Sequence, residues 1–322
     1  MTVYVGIDVS KVSLDIGVLD GQQREHAKFS NEGDGFVKLR RFLKKRRGKV
    51  QVCLEATGPY GEGVADFLYE AGYRVSVVNP ARIKGYAESQ LSRNKTDKMD
   101  AYLIADFCRT QQPEAWSPPP PEIRELNALV RHLEDLEHNR SQCANRLSAA
   151  KATSTVAAQL RAQLALLDEQ LLQTKQAIQD HIDRYPDLKR QRDLLTSIPG
   201  IAELTAGKLL AEFRAITDFA NVRQLVAFAG LNPRQHVSGT SVHKNSHISK
   251  CGRASLRAAL YMPAIVAKRH NPVLSDFAQR LQARGVSGKR LIVAIMRKLL
   301  HLVYGILKSG KPFDPHFAYL PA

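Results

Sequence analysis

The stretch Asn94-Lys95-Thr96-Asp97-Lys98-Met99-Asp100-Ala101 sets two carboxylates three residues apart in a locally basic run. On a helix, positions i and i+3 are neighbours on one face. Two more acids interrupt apolar segments: Asp8 in VYVGIDV (3–9) and Glu55 near the close of VQVCLEA (50–56). Each alone has an ordinary explanation, as a strand-end residue, a cap, or a favourable charge in a helix first turn behind Thr96. Together they read differently. Four close carboxylates cannot all stay ionised without cations. Hard Mg²⁺ takes oxygen ligands, and two such ions stabilise the attacking and leaving oxygens of a phosphodiester displacement. Asp8, Glu55, Asp97 and Asp100 are therefore the expected metal site, with Lys95 and Lys98 favouring phosphate beside it. Asp15, Asp34, Asp66 and Asp106 are set aside as bystanders.

A second chemical candidate lies in FAGLNPRQHVSGTSVHKNSHISKCGRASLRAALYMPA (228–264). Its first half, with Pro233, Gly239 and many Ser, Thr, Asn and His, reads as a loop, and helix resumes near Arg253. Arg234, His236, Lys244, Lys250, Arg253 and Arg257 surround the serines. A serine hydroxyl can attack phosphorus once phosphate charge is neutralised and its proton removed. Chemistry alone does not choose between Ser238 and Ser241, nor between a nucleophile and a loop that only hydrogen-bonds phosphate.

Elements must position these groups. VYVGIDV (3–9), SLDIGVLD (13–20) and REHAKFS (24–30) read as strands, the last two joined through Asp20-Gly21, a hairpin signal. FVKLRRFLKKR (36–46) has helical spacing, VQVCLEA is a strand, GVADFLYEAG (63–72) a helix, and YRVSVVNP (73–80) a strand stopped by Pro80. A helix is possible over 80–90 and strongly signalled from Asp97 to Arg109. The order β-β-β-α-β-α-β-α is that of an RNase H-like fold, whose first and fourth strands are neighbours. Pro118 to Pro121 form a stiff spacer. Residues 118–185 are almost free of Gly and Pro, and Leu160, Leu164, Leu167, Leu171 and Leu172 recur at helical spacing. That segment reads as a helical hairpin or coiled coil, used for dimerisation or as an internal pair. The rest, 186–322, reads as mainly helical, and Gly200 in SIPGI marks either a turn that offers backbone N–H groups to a phosphate or an ordinary helix connection. The expected architecture is α/β plus all-α, with domains at 1–117, 118–185 and 186–322.

The net charge is +16, and it is uneven. Residues 186–322 hold 21 Lys and Arg against 7 Asp and Glu, whereas 1–117 hold 18 against 15 and 118–185 hold 8 against 9. A polyanionic partner such as nucleic acid suits the last region. Cys53, Cys108, Cys143 and Cys251 lack zinc-finger or CxxC spacing and read as reduced thiols. Without a signal pattern or an apolar run of membrane-spanning length, the sequence predicts a soluble cytoplasmic protein.

Together these segments resemble the DEDD-type insertion-sequence transposases, whose relatives include the Piv-type DNA invertases. The matching stretches are YVGIDVSK, LEATGPY, VSVVNP, RNKTDKMDA, SIPGI, FAGLNPR, VSGTSV and SKCGRASLRAALYMPA, in family order from about 4 to 313. The resemblance implies a RuvC-like N-terminal domain, a coiled coil and a C-terminal transposase domain. It maps the Mg²⁺-binding acids onto Asp8, Glu55, Asp97 and Asp100. It maps the catalytic serine, which forms a covalent phosphoserine link to DNA, onto Ser238. It further implies a structured non-coding bridge RNA pairing with donor and target DNA, action in the prokaryotic cytosol or nucleoid, and dimers of dimers in which different subunits contribute acids and serine. Two other readings compete: a metal-dependent structure-specific nuclease, in which water attacks and Ser238 only contacts phosphate, and a non-catalytic nucleic-acid-binding protein.

Overall fold

The computed structural model describes residues 2–56, 58–90, 96–151, 154–213, 215–238 and 242–316, with the backbone alone for 234–238 and 242–247. The chain divides into two compact units, Met1–Pro118 and Pro119–Ala322.

The first unit is built on β1 (Thr2–Val9), β2 (Ser13–Asp20), β3 (Gln23–Ser30), β4 (Lys49–Glu55) and β5 (Arg74–Val78). Between and after them lie α1 (Gly33–Lys44), α2 (Pro59–Glu70), α3 (Pro80–Ser89) and α4 (Asp97–Gln111). Strand order is β3-β2-β1-β4-β5; β1–β4 and β4–β5 are parallel, β1–β2 and β2–β3 antiparallel. This five-stranded mixed sheet is compatible with the expected RNase H-like domain. The β2–β3 hairpin turns at Gly21, which has φ 60°, directly after Asp20.

Alternation along β1 separates two faces. Val3, Val5, Ile7 and Val9 are buried with Leu39 and Leu43 of α1 and Val64 and Leu68 of α2. The opposite face of the sheet carries Tyr4, Gly6 and Asp8, and there Cys53 packs with Ile104, Phe107 and Cys108 of α4. A helix can lie so close only because two glycines face it. A Cβ added to Gly6 would fall 2.2 Å from the Ala101 carbonyl oxygen, and one on Gly17 would fall 2.7 Å from the Tyr102 nitrogen. Gly6 and Gly17 are cross-strand partners, so the two vacancies form one seat for α4.

The second unit begins with α5 (Pro121–Ala149) and α6 (Thr155–Arg184). Pro121 sits at the first turn of α5, where its missing N–H is no loss. Leu126, Leu133, Leu160, Leu167, Leu171 and Ile178 belong to one buried cluster that continues through the rest of the unit. The leucine seam of α6 is thus used within the chain, except Leu172, which is 71% exposed. Next come α7 (Pro186–Thr196), α8 (Glu203–Glu212), a short 3₁₀ turn and α9 (Val222–Phe228). The antiparallel pair β6 (Pro233–Ser238) and β7 (Val242–Ile248) follows, then α10 (Ala254–His270), α11 (Pro272–Ala283) and α12 (Gly288–Ser309).

One expectation changes here. Pro233–Ser238 and Val242–Ile248, expected as loop, pair as a two-stranded ribbon. The Gly200 turn has a packing reason: φ is 109° and a Cβ would lie 2.7 Å from that of Ala267 on α10. Among the described residues, no helix is long and apolar enough to cross a membrane.

Candidate active site

The carboxylates are gathered by the register of the sheet and the seat of α4. Asp8 stands directly across from Asp15 on β2. Asp8 and Glu55 come one step after Ile7 and Leu54, the last registered pair of the parallel ladder. Thr96 caps α4, its Oγ1 accepting from the Met99 N–H at 3.3 Å. Asp97 and Asp100 therefore occupy the first turn, where the helix dipole favours negative charge.

Asp8 reports on the gathering. Its pKa rises from the ordinary 3.8 to about 6, first through burial and then through the charges of Asp100, Asp97, Asp15 and Glu55. All four expected acids thus meet in one electrostatic neighbourhood. They do not form a closed ligand cage: among the described residues, no three His, Cys, Asp or Glu side chains stand in metal-holding geometry. Like charges keep such groups apart until a cation neutralises them. As a donor set, four hard carboxylate oxygens with one raised pKa fit a divalent cation.

Asp15, set aside on sequence, is buried inside this neighbourhood. His26 Nε2 lies 3.0 Å from its Oδ1, and Lys28 Nζ 2.9 Å from its Oδ2. The Lys28 pKa is raised chiefly by that hydrogen bond and by the Asp15 charge, with smaller contributions from Asp97 and Asp8. Asp15 thus holds a cation at the edge of the acid cluster. The signal was present in the sequence only as cross-strand pairing of Asp15 with Lys28, which requires the hairpin register. Asp106, by contrast, is tied to Tyr86 at 2.5 Å and to Arg109 at 2.6 Å. Lys95 lies outside the described residues.

Ser238 is the last residue of β6, paired with Val242. Its side chain, and those of Arg234, His236 and Lys244, lie outside the described residues, as do Gly239 and Ser241. The root of the ribbon is fully described. Ser249 Oγ bonds Asn232 Oδ1 at 2.5 Å. The Lys250 N–H donates to the Gly230 carbonyl at 3.1 Å, and the Arg253 N–H to that of Phe228 at 2.9 Å. Arg257, one of the cations around the serines in the sequence, directs Nη1 at the carbonyls of Ala229 (3.0 Å) and Gly252 (3.1 Å). Gly252 permits the crossing, since a Cβ there would meet the Phe228 oxygen at 2.3 Å. The FAGLNPR and SKCGR stretches therefore tie the ribbon down.

Comparison with known proteins shows the family of the chain. Residues 5–152 match the DEDD transposases of the IS110 type, and residues 192–279 match the transposase IS116/IS110/IS902 family. The pilin gene-inverting proteins of Moraxella lacunata and Moraxella bovis are each 33% identical over 97% of this chain and 97% of their own length. The chain belongs to the IS110/IS116/IS902 transposase family. The transposase for insertion sequence element IS1111A of Coxiella burnetii is 25% identical over 81% of this chain and 79% of its own. As a member of this family the chain is a DNA recombinase or transposase. The acids at Asp8, Glu55, Asp97 and Asp100 lie within the segment matched by the DEDD transposases, and Ser238 within that matched by the second.

Proposed function

We propose that this transposase cuts and rejoins the DNA of its own insertion sequence through a phosphoserine intermediate at Ser238. In this reading Ser238 Oγ attacks the phosphorus of a phosphodiester. A bond from Oγ to phosphorus forms, the bond from phosphorus to the departing sugar oxygen breaks, and that sugar leaves as a hydroxyl. Reversal by the hydroxyl of another strand releases the serine and reseals DNA without free ends. Asp8, Glu55, Asp97 and Asp100 would hold Mg²⁺, which when bound supplies charge neutralisation for phosphoryl transfer. Asp15 keeps Lys28 at the edge of that cluster, where its ammonium can meet a phosphate oxygen. The reading includes a structured guide RNA that pairs with donor and target DNA, and an oligomer whose subunits exchange acids and serine. The +14 charge of 186–322 supports a large nucleic-acid contact.

The observation that supports the metal half of the reading is the gathering of the acids: Asp8 and Glu55 lie at the ends of neighbouring strands, and Asp97 and Asp100 open α4, which is seated on Gly6 and Gly17 of that sheet. The same observation suits the second reading, a metal-dependent nuclease that needs only the acids. A denaturing gel separates them. Protein, the RNA transcribed beside its gene, Mg²⁺ and labelled DNA spanning the element's end are incubated. Wild type is then run beside Ser238→Ala, Ser241→Ala and Asp97→Asn. A protein–DNA adduct lost with Ser238→Ala and Asp97→Asn but kept with Ser241→Ala is expected. Cleaved DNA without adduct, still produced by Ser238→Ala, would leave the nuclease.

A further inference from the structure

A groove of about 760 Å³ opens in the second unit at the root of the ribbon. Leu231, Ile248, Phe277 and Val293 give it apolar walls. Lys250, Lys289, Arg290, Arg297 and Lys298 also line it, and no lining residue among those described is acidic. Its size is in the range of pockets that hold small organic groups. Its charge is not that of a pocket for a neutral one.

Most of the cations come from a single helix face. Lys289 and Arg290 stand near the start of α12, Val293 and Ala294 one turn on, and Arg297 and Lys298 a further turn on. Eight residues of helix separate the two cation pairs by about 12 Å. A stacked strand carries one phosphate per about 3.4 Å, so the pairs span three to four nucleotides. His301, one turn beyond, is kept neutral at pH 7: burial, then Lys298 and Arg297, push its pKa down to about 4.

Lys250 faces this helix from the ribbon root, and its backbone is unusual. It holds φ 54°, in the left-handed region, where glycine would sit without strain. Two backbone hydrogen bonds fix it there, from its own N–H to Gly230 O at 3.1 Å and from the Gly252 N–H to its carbonyl at 3.0 Å. A long cationic side chain kept at a strained position argues for a use of its charge.

We propose that this groove binds a single-stranded stretch of nucleic acid, with phosphates on the cation pairs and Lys250, and an unstacked base on the Phe277 and Val293 surface. Cations flanking an aromatic and apolar floor are the pattern that grips a strand by backbone and base together. The proposal rests on reading the chain as a nucleic-acid recombinase, and adds a strand-holding site outside the chemistry. Pro233 and Ile248, paired at the ribbon root, line the groove. Ser238 lies five residues along β6, roughly 17 Å of strand. The held stretch is then on the order of five stacked nucleotides from the serine.

The test is equilibrium binding by the full chain, read by fluorescence anisotropy. The probes are a 12-nucleotide DNA strand, the RNA strand of equal sequence and the duplex, with 2-aminopurine placed in the single strands. The variants are Lys250→Gly, which relieves backbone strain and so keeps the fold, and the double Arg290→Gln/Arg297→Gln. Single-strand affinity is expected to fall severalfold in the first and about tenfold in the second, whose log K against log salt slope falls by about 1.4. The 2-aminopurine signal that marks an unstacked base should be lost with it. Loss restricted to DNA or to RNA names the strand held and supports the proposal. Unchanged affinity and slope in the double variant would overturn it. So would equal loss for duplex and single strands without a 2-aminopurine response. No catalysis is read, so failure here leaves the phosphoserine reading standing, and a failed adduct assay leaves this one.

Discussion

In the N-terminal unit the acids ride on a five-stranded sheet whose seat for α4 is cut by Gly6 and Gly17, so backbone meets backbone. In the C-terminal unit Ser238 closes a two-stranded ribbon, and the tight crossing lies at the other end, among Gly230, Lys250, Gly252 and Arg257. The acids are thus fixed where the tight crossing lies, whereas Ser238 is carried by a strand fixed at its root. A sheet flanked by helices can hold several charged groups in register against their mutual repulsion. A ribbon anchored at one end leaves the proposed nucleophile at the end away from its anchor, as a partner as large as DNA would require.

The sharpest test of that contrast joins the two sites. Ser238→Ala and Asp97→Asn should each lower strand exchange on the order of 10⁴-fold, and the double variant should be no worse than either, because groups acting in one step are not additive. Recombination products counted by quantitative amplification give the comparison; multiplied losses would show that acids and serine serve separate reactions. Next, Gly6→Ala should push α4 away and destabilise the protein by about 1–3 kcal/mol, with loss of cleavage. Urea unfolding measures it, and an unchanged midpoint would remove the glycine seat from the account. Arg257→Met should cost a similar or smaller amount, about 1–3 kcal/mol, by stranding the Ala229 and Gly252 carbonyls. Protease digestion should then cut near 233–248 first, while fragments of the N-terminal unit persist.

The smallest effect is one of pH. The folded-state pKa of Asp8 is about 6, above its ordinary 3.8. The contribution of its protonated form to stability is therefore complete below pH 3.8 and lost as pH rises through 6. Asp8→Asn cannot ionise, so in metal-free buffer at pH 7 it should be more stable than wild type. The full shift corresponds to about 3 kcal/mol, and solvent screening of this half-buried group brings the expected gain to about 1 kcal/mol. Thermal melts at pH 7 and pH 3.5 check it: the gain should be present at the first and absent at the second.

The two regions also differ in how much of them the sequence reveals. Strand alternation in 3–9, the Asp20-Gly21 turn and the i, i+3 spacing of Asp97 and Asp100 foretell the sheet, the hairpin and the helix face. Hydrophobic period and turn chemistry are local properties, and both act within a few residues. Asp15 does not stand out in the sequence, because its importance comes from β1–β2–β3 register, which places it opposite both Asp8 and Lys28. The ribbon reads as loop in the sequence because 233–248 is rich in Ser, Asn and His and lacks the apolar alternation of a half-buried strand. The anchoring role of Arg257 is hidden in the sequence because the carbonyls it binds are brought to it by the fold. The packing need for Gly200 is hidden likewise, since Ala267 lies 67 residues away.

The phosphoserine proposal requires a covalent bond between Ser238 and DNA. Mass spectrometry of the adduct, trimmed by nuclease and digested with trypsin, reads that bond. A nucleotide phosphate attached to Ser238, and missing when Asp97→Asn replaces the wild type, is the predicted result. Attachment at Ser241, or free cleaved ends with every serine unmodified, would contradict it.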